Sequence, residues 1–356
     1  MQQIKHCIDQ LIENKTVGNI MVRVGRGDEI LCDVKATAEA RELTNRTLFD
    51  MASVTKIVAP TSLALLAMDR GLLSPDDSVS RFFSVPADKS ALTVRHLLTH
   101  TMGIGHKSLL DAAPEREGIE EYILRIPSDI PIGTDVRYSC PGFILLGRIL
   151  ETIFDERLDR AFAEQVAAPL GMQSTCFLPD RNQDFVNANR APDEAGLVND
   201  YNCRHLGGVC GNAGLFSNLT DMTVYARMLL AHGAPLISKA TFSEAVQNYT
   251  EGMSESRGLG FLYVDGRYAQ TGGLFPVGSI GHCGHTGQSV FADPRSGLYV
   301  IILSDATVST SKKYGRENYA EVMRMRHDVH AAIQADIEQK GNFNHELSDS
   351  SHSKSR

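Results

Sequence analysis

The sequence predicts an α/β protein in which strands from both ends of the chain share one antiparallel sheet, with a mainly helical half inserted between them. Three observations carry this expectation. Two strand-like runs, NIMVRVG (19–25) and EILCDV (29–34), stand near the start. Four more, GLGFLYV (258–264), SIGHCGHTG (279–287), QSVFADP (288–294) and GLYVIILSD (297–305), fill the last third. Between the two groups the apolar residues recur at helical rather than alternating spacing.

The elements follow in order. Residues 3–14 place Ile4, Cys7, Ile8, Leu11 and Ile12 on one helical face. Arg26-Gly27-Asp28 separates the first two strands and reads as a hairpin turn. TLFDMAS (47–53) is short and apolar, and the run from Ser53 to Leu73 reads as a helix closed by Gly71 and kinked at Pro60. LTVRHLLTH (92–100) is helical, the stretch to about residue 137 is loop-rich, and 141–168 hold two more helical runs. The polar region 178–212 has the composition of a long loop bordering a site, and a helix covers 219–232. After the strands, 317–337 form a terminal helix, and EQKGNFNHELSDSSHSKSR lacks an apolar period. The expected organisation is one catalytic domain over 1–337, with an α/β half from about 1–60 and 255–337, a helical half from about 61–254, and a disordered tail at 338–356. A cleft between the halves is the natural place for a site.

Charge and composition narrow the function. Thirty-five Lys and Arg against 43 Asp and Glu give a formal charge of −8, which argues against a nucleic-acid partner. No apolar run approaches the ~18 residues of a membrane span, and the N-terminus is amphipathic rather than a secretory signal, so the expectation is a soluble cytoplasmic protein without a membrane partner. The oligomeric state is not constrained. Seven cysteines (Cys7, Cys32, Cys140, Cys176, Cys203, Cys210 and Cys283) contain no CxxC pair, and in a reducing compartment they do not imply a disulfide framework.

The chemistry begins at Ser53-Val54-Thr55-Lys56. Three residues apart on a helix, hydroxyl and ammonium share one face, and a serine at a helix start lies near the positive end of the dipole. By itself the pattern is equally a helix cap with a surface lysine. The surrounding segments are more specific. FDMASVTKIVAPTSLALLAMDRGLLSPDDSVSRFF, LTVRHLLTHTMGI, RYSCPGFILLGRILE, GGVCGNAGLFSNLTDMTVYARMLL and GHCGHTGQSVFADPRSGLYVIILSD resemble, in this order, the serine β-lactamase-like family. That family comprises class C β-lactamases, D-alanyl-D-alanine carboxypeptidases and esterases of the penicillin-recognising fold. The resemblance runs from about residue 18 to 335 and implies a β-lactamase/transpeptidase-like α/β fold.

By position, the resemblance makes Ser53 the acylated nucleophile and Lys56 its proton-relay partner. Tyr138 falls on the tyrosine of a Tyr-x-Asn motif and would act as general base, held near two cations. His282-Cys283-Gly284 matches the Lys-Thr-Gly strand, where esterase-like members carry His-x-Gly; His282 would orient and polarise Tyr138. The N–H groups of Ser53 and His285 would form the oxyanion hole, with Gly284 letting substrate lie against the strand edge. His100 and Asp50 fall in motifs that support the fold.

Four departures concern cysteine. Cys140 stands for the Asn of Tyr-x-Asn and Cys283 for the Thr of Lys-Thr-Gly, while Cys203 and Cys210 border the site where small residues are usual. Loss of the amide and the hydroxyl weakens recognition of penicillins and D-Ala-D-Ala peptides. The expected function is a serine hydrolase acting through an acyl-enzyme on a small ester or amide, with no cofactor required. Two alternatives are a weak β-lactamase or D-amino-acid peptidase, and a silent member binding zinc or an iron–sulfur cluster through Cys140, Cys203, Cys210 and Cys283.

Overall fold

The computed structural model describes residues 1–106, 113–189 and 191–352, with side chains to residue 339. The expected loop at 107–112 and the last four residues of the expected tail lie outside the described residues. Helix α1 (Gln3–Glu13) buries Ile4, Ile8 and Leu11, one stripe of its surface. Strands β1 (Asn19–Arg26) and β2 (Glu29–Thr37) form the expected hairpin, closed by Gly27 at φ +54. Strand β3 (Phe49–Asp50) leads into a single 3-10 turn, Ala52–Val54, which carries Ser53.

Pro60 bends the next helix as expected, by a specific means. Proline lacks an N–H and clashes with the carbonyl four residues back, and the chain widens into a π-turn over Ile57–Thr61 before α2 (Ser62–Asp69). The helical half continues with α3 (Val94–Leu98), α4 (Ile119–Arg125), α5 (Cys140–Phe154), α6 (Leu158–Phe162) and α7 (Ala168–Leu170). Strand β4 (Cys176–Phe177), α8 (Tyr201–His205), β5 (Leu215–Ser217), α9 (Leu219–Leu230) and α10 (Lys239–Ala245) complete it. The last third holds β6 (Leu262–Tyr263), β7 (Ile280–Cys283), β8 (Ser289–Asp293), β9 (Leu298–Ser304), α11 (Ala306–Tyr314) and α12 (Tyr319–His352).

The two ends of the chain join in one six-stranded sheet of order β2-β1-β9-β8-β7-β6, antiparallel throughout. Its centre, β9, is buried on both faces, which explains the unbroken apolar run LYVIIL. Leu298, Val300 and Ile302 pack with Ile4, Ile8, Val322 and Val329 of α1 and α12. Tyr299, Ile301 and Leu303 belong to the core shared with the helical half. A second sheet of order β3-β5-β4 ties the segment before Ser53 to the middle of the chain.

Four helices, α4, α8, α10 and α11, occupy segments where spacing predicts none; at five to nine residues they are too short to display a period. Helical backbone also continues beyond 337 to His352. Extending an anchored helix costs far less than nucleating one, so a polar continuation without proline does not stop it. Among the described residues no helix is long and apolar enough to cross a membrane.

Candidate active site

The site forms where the turn carrying Ser53 meets the end of β7, the start of α5 and the loop between α8 and β5. Ala52 holds φ +44, uncommon for a residue with a Cβ. Asp50 braces it by accepting the Ala52 N–H at 2.8 Å through one carboxylate oxygen and the Asn199 N–H at 2.6 Å through the other. Burial pushes the Asp50 carboxyl up to about 6, against the opposing pull of those two N–H groups.

Lys56 has no exposed surface, and its ammonium is held from three sides. It donates to Ser53 Oγ at 3.1 Å and to the Asn212 carbonyl at 2.8 Å, and lies 3.7 Å from Cys140 Sγ. Burial pushes Lys56 down, but Cys140 and Tyr138 outweigh it and hold the ammonium charged. Burial likewise pushes the Cys140 thiol up, and here the Lys56 charge and a hydrogen bond from His106 win, holding the thiol below its usual range. Cys140 is also the first residue of α5, where the helix dipole favours a thiolate.

Tyr138 closes the group. Burial raises its phenol, while the charge of Lys56 and hydrogen bonds from Lys56 and Ser53 oppose the rise. Its ring lies 4.6 Å from that of His100 and 6.2 Å from that of His282. His100 Nδ1 accepts the Ser139 N–H at 3.0 Å and the His100 carbonyl accepts the Arg137 N–H at 2.8 Å, so this histidine clamps both neighbours of Tyr138. His282 donates from Nδ1 to the Cys283 carbonyl at 2.8 Å. Burial, then Arg257 and Lys56, hold both imidazoles neutral well below the ordinary range.

Gly284 lets β7 close on the nucleophile turn: a Cβ there would stand 2.8 Å from the Met51 carbonyl. Beyond it, the His285 ring stacks on Tyr319 at 5.3 Å and contacts Glu317 at 3.1 Å. Among the described residues, neither the Ser53 nor the His285 N–H finds a backbone acceptor outside regular elements.

The structure thus brings together Ser53, Lys56, Tyr138, Cys140 and His282, with Gly284 and His285 alongside. It does not gather the four cysteines. Consecutive strand residues point to opposite faces, so His282 faces Tyr138 whereas Cys283 meets the Tyr268 hydroxyl at 3.2 Å. Cys203 and Cys210 are hydrogen-bonded to each other, and Cys203 Sγ reaches the Ala213 carbonyl at 3.2 Å. All seven cysteines are free, and among the described residues no group of three or more His, Cys, Asp or Glu is arranged to hold a metal ion.

Three contributors are not apparent from the sequence: the Asn212 carbonyl, His106 and Arg257. Asn212 lies within GGVCGNAGLF, but it acts through its backbone, which no residue identity announces. Its side chain donates to Asp200 at 3.0 Å, and Asp200 also caps α8 through the Cys203 N–H at 2.8 Å. Gly211 permits the approach, because a Cβ there would overlap the Phe143 carbonyl of α5.

A sheet covered by helices on both faces, with a serine paired to a buried lysine where the two halves meet, is the architecture expected of a serine hydrolase. The comparisons with known proteins agree. Residues 4–324 match the Beta-lactamase family, and the chain belongs to it. It is 29% identical over 310 residues, 75% of this chain and 71% of the other, to an Escherichia coli O157:H7 protein described as "Putative D-alanyl-D-alanine carboxypeptidase". A Salmonella typhi protein of the same description is 27% identical over 304 residues, 74% of this chain and 70% of the other.

Among solved structures, EstCE1, a hydrolase with promiscuous acyltransferase activity, aligns with a TM-score of 0.76 at 20% identity, covering 94% of this chain and 98% of that one. The octameric penicillin-binding protein homologue from Pyrococcus abyssi aligns at 0.69 and 18% identity, covering 89% and 78%. These two likenesses establish the fold. The protein is a serine hydrolase of the β-lactamase-like family.

Proposed function

We propose that the protein hydrolyses small, uncharged esters or amides through an acyl-enzyme on Ser53. The observation that carries this reading is the fully buried Lys56 ammonium hydrogen-bonded to Ser53 Oγ. Ser53 Oγ attacks the substrate carbonyl and passes its proton to the phenolate form of Tyr138, which lies in the same hydrogen-bonded group. Lys56, paired with Cys140 and the Asn212 carbonyl, stays protonated and stabilises the alkoxide and phenolate rather than acting as the base itself. The developing oxyanion is received by the N–H groups of Ser53 and His285; its collapse breaks the bond to the alcohol or amine, which leaves with the proton taken up by Tyr138. Water activated by Tyr138 then cleaves the ester to Ser53 and returns the hydroxyl.

The preference for uncharged substrates follows from the residues around β7. Cys283 offers a thiol already engaged by Tyr268, in place of a hydroxyl free to bind a substrate carboxylate. Arg326, fully buried beneath the same strand end, donates to the carbonyls of Gly284 and Gly287 and to Gln270. A second reading, a D-amino-acid peptidase, is favoured by the description of the curated relatives.

Intact-mass measurement after incubation with a fluorophosphonate and, separately, with a penicillin tests both readings. The proposal expects a fluorophosphonate adduct and p-nitrophenyl butyrate turnover, both lost in Ser53→Ala, with a slow or absent penicillin adduct. A rapid penicillin adduct favours the peptidase. Absence of any adduct and any turnover removes the enzymatic reading. Because burial raises the Tyr138 phenol, kcat/KM is expected to climb with pH through neutrality into the alkaline range.

A further inference from the structure

We propose that Arg257, which stands in no recognised motif, is a positioning residue that supplies the second cation of the Tyr138 site. The inference rests on the reading that Tyr138 is the base, and it answers a question that reading raises: what, besides Lys56, makes a phenolate tolerable in this site?

Six groups from five places in the fold face Tyr138. Ser53 and Lys56 come from the nucleophile turn, Cys140 from α5, His100 from the end of α3, His282 from β7, and Arg257 from the segment bridged to β6 at Leu262. Ser53 is uncharged. The hydrogen bonds of the two histidines match neutral tautomers: His100 Nδ1 accepts from Ser139, which leaves its proton on Nε2, and His282 Nδ1 donates to the Cys283 carbonyl. His282 therefore orients the site without adding positive charge. Lys56 is cationic, but it is shared with Cys140, 3.7 Å away, whose thiol is held below its usual range and, when ionised, opposes ionisation of the phenol.

Arg257 is the remaining group, and a guanidinium does not lose its charge. Its Cζ lies 5.7 Å from the Tyr138 ring centroid, and the residue is 3% exposed. Its Nη2 pairs with Glu255, which is half-exposed, while Nε and Nη1 are buried without a protein partner. A buried arginine with two N–H groups unpaired carries a desolvation penalty that packing alone does not reward. A phenol alternating between neutral and anionic forms beside it gives that charge a role. The same charge adds to burial, the larger cause, in holding His100 and His282 neutral.

The experiment compares Arg257→Met, Arg257→Lys and Tyr138→Phe with the wild-type protein, measuring kcat/KM for p-nitrophenyl butyrate against pH together with the thermal midpoint. Arg257→Met is expected to move the acidic limb of kcat/KM upward by about one pH unit, with about a tenfold loss at neutral pH. Arg257→Lys, which keeps the charge, is expected to recover most of the limb position. An unshifted limb in Arg257→Met overturns the inference. So does an equal loss in the Lys and Met variants that follows their thermal midpoints, because that marks a packing role. If Tyr138→Phe keeps wild-type turnover, the assignment of the base falls and this inference with it. If Tyr138→Phe is inactive and the limb of Arg257→Met is unmoved, only the role of Arg257 falls.

Discussion

A lysine without exposed surface persists only if its neighbours replace the water it has lost. Lys56 finds that replacement in a hydroxyl, a carbonyl and a cysteine sulfur, and the sulfur is the unusual member. Cys140 stabilises the ammonium, but its negative charge also discourages ionisation of Tyr138. Replacing Cys140 by Asn removes that charge and offers an amide in its place. Two outcomes are expected for Cys140→Asn. The acidic limb of kcat/KM for p-nitrophenyl butyrate moves to lower pH, because both Lys56 and Tyr138 lose an anionic neighbour. The rate of penicillin adduct formation rises, by about tenfold if the amide makes one good hydrogen bond to the substrate. A limb that moves to higher pH would show that the thiolate is not the group setting the charge of the pocket.

At the scale of elements, what was legible in the sequence is what local period and motif order encode. The apolar runs of β1 and β9 and the stripe of α1 are visible in the sequence. Ser53, Lys56, Tyr138 and His282 come from motif order, and the fold brings them together. The misses have physical causes. The metal alternative, set below the reading of the cysteines as packing thiols, needs cysteines close to motifs in sequence to point into one space. Cys283 and His282 are adjacent on β7 and so face opposite sides of the sheet. Arg257 and the Asn212 carbonyl reach Lys56 and Tyr138 from over a hundred residues away along the chain, and neither belongs to a pattern that spacing reveals.

One element-scale contact is legible in hindsight: the glycine of His282-Cys283-Gly284. A Cβ at Gly284 would meet the Met51 backbone carbonyl at 2.8 Å, and backbone gives way less easily than a flexible side chain. Gly284→Ala should therefore push the end of β7 off the nucleophile turn. The expected cost is about 1–3 kcal/mol of stability by denaturant titration, with a fall in kcat larger than the change in KM. Unchanged turnover in a folded Gly284→Ala protein would mean that this close approach does not set the geometry of the site.

At the scale of the whole molecule, the two halves meet at a buried carboxylate. Asp50, on β3, accepts from Ala52 on the nucleophile turn and from Asn199 in the long loop, while its own carbonyl accepts from Thr286 beyond the end of β7. The nucleophile turn, the helical half and the sheet half are therefore joined through one residue with no exposed surface. Its side chain retains a proton in the folded protein up to about pH 6, whereas in the unfolded chain it ionises near 3.8. A carboxyl with a raised folded pKa contributes stability that is fully present below the unfolded value and is lost as pH rises through the folded one. For Asp50 this amounts to about 3 kcal/mol lost between roughly pH 4 and pH 7. His330, pushed down to about 4 by burial, works in the opposite direction, since its contribution is present above the unfolded value near 6.5 and is lost as pH falls through 4. His100 and His282, also held neutral by burial, act in the same direction as His330, so the slope from Asp50 is masked in the wild-type protein. Asp50→Asn removes that slope. That variant is expected to be less stable than wild type at pH 4, where it loses an acceptor and gains nothing, and to recover relative to wild type by about 3 kcal/mol as pH rises to 7. Urea titrations of both proteins at pH 4, 5, 6 and 7 measure the difference. If it stays constant with pH, Asp50 is ionised throughout, and the joint between the halves is a pH-independent brace rather than a proton-linked one.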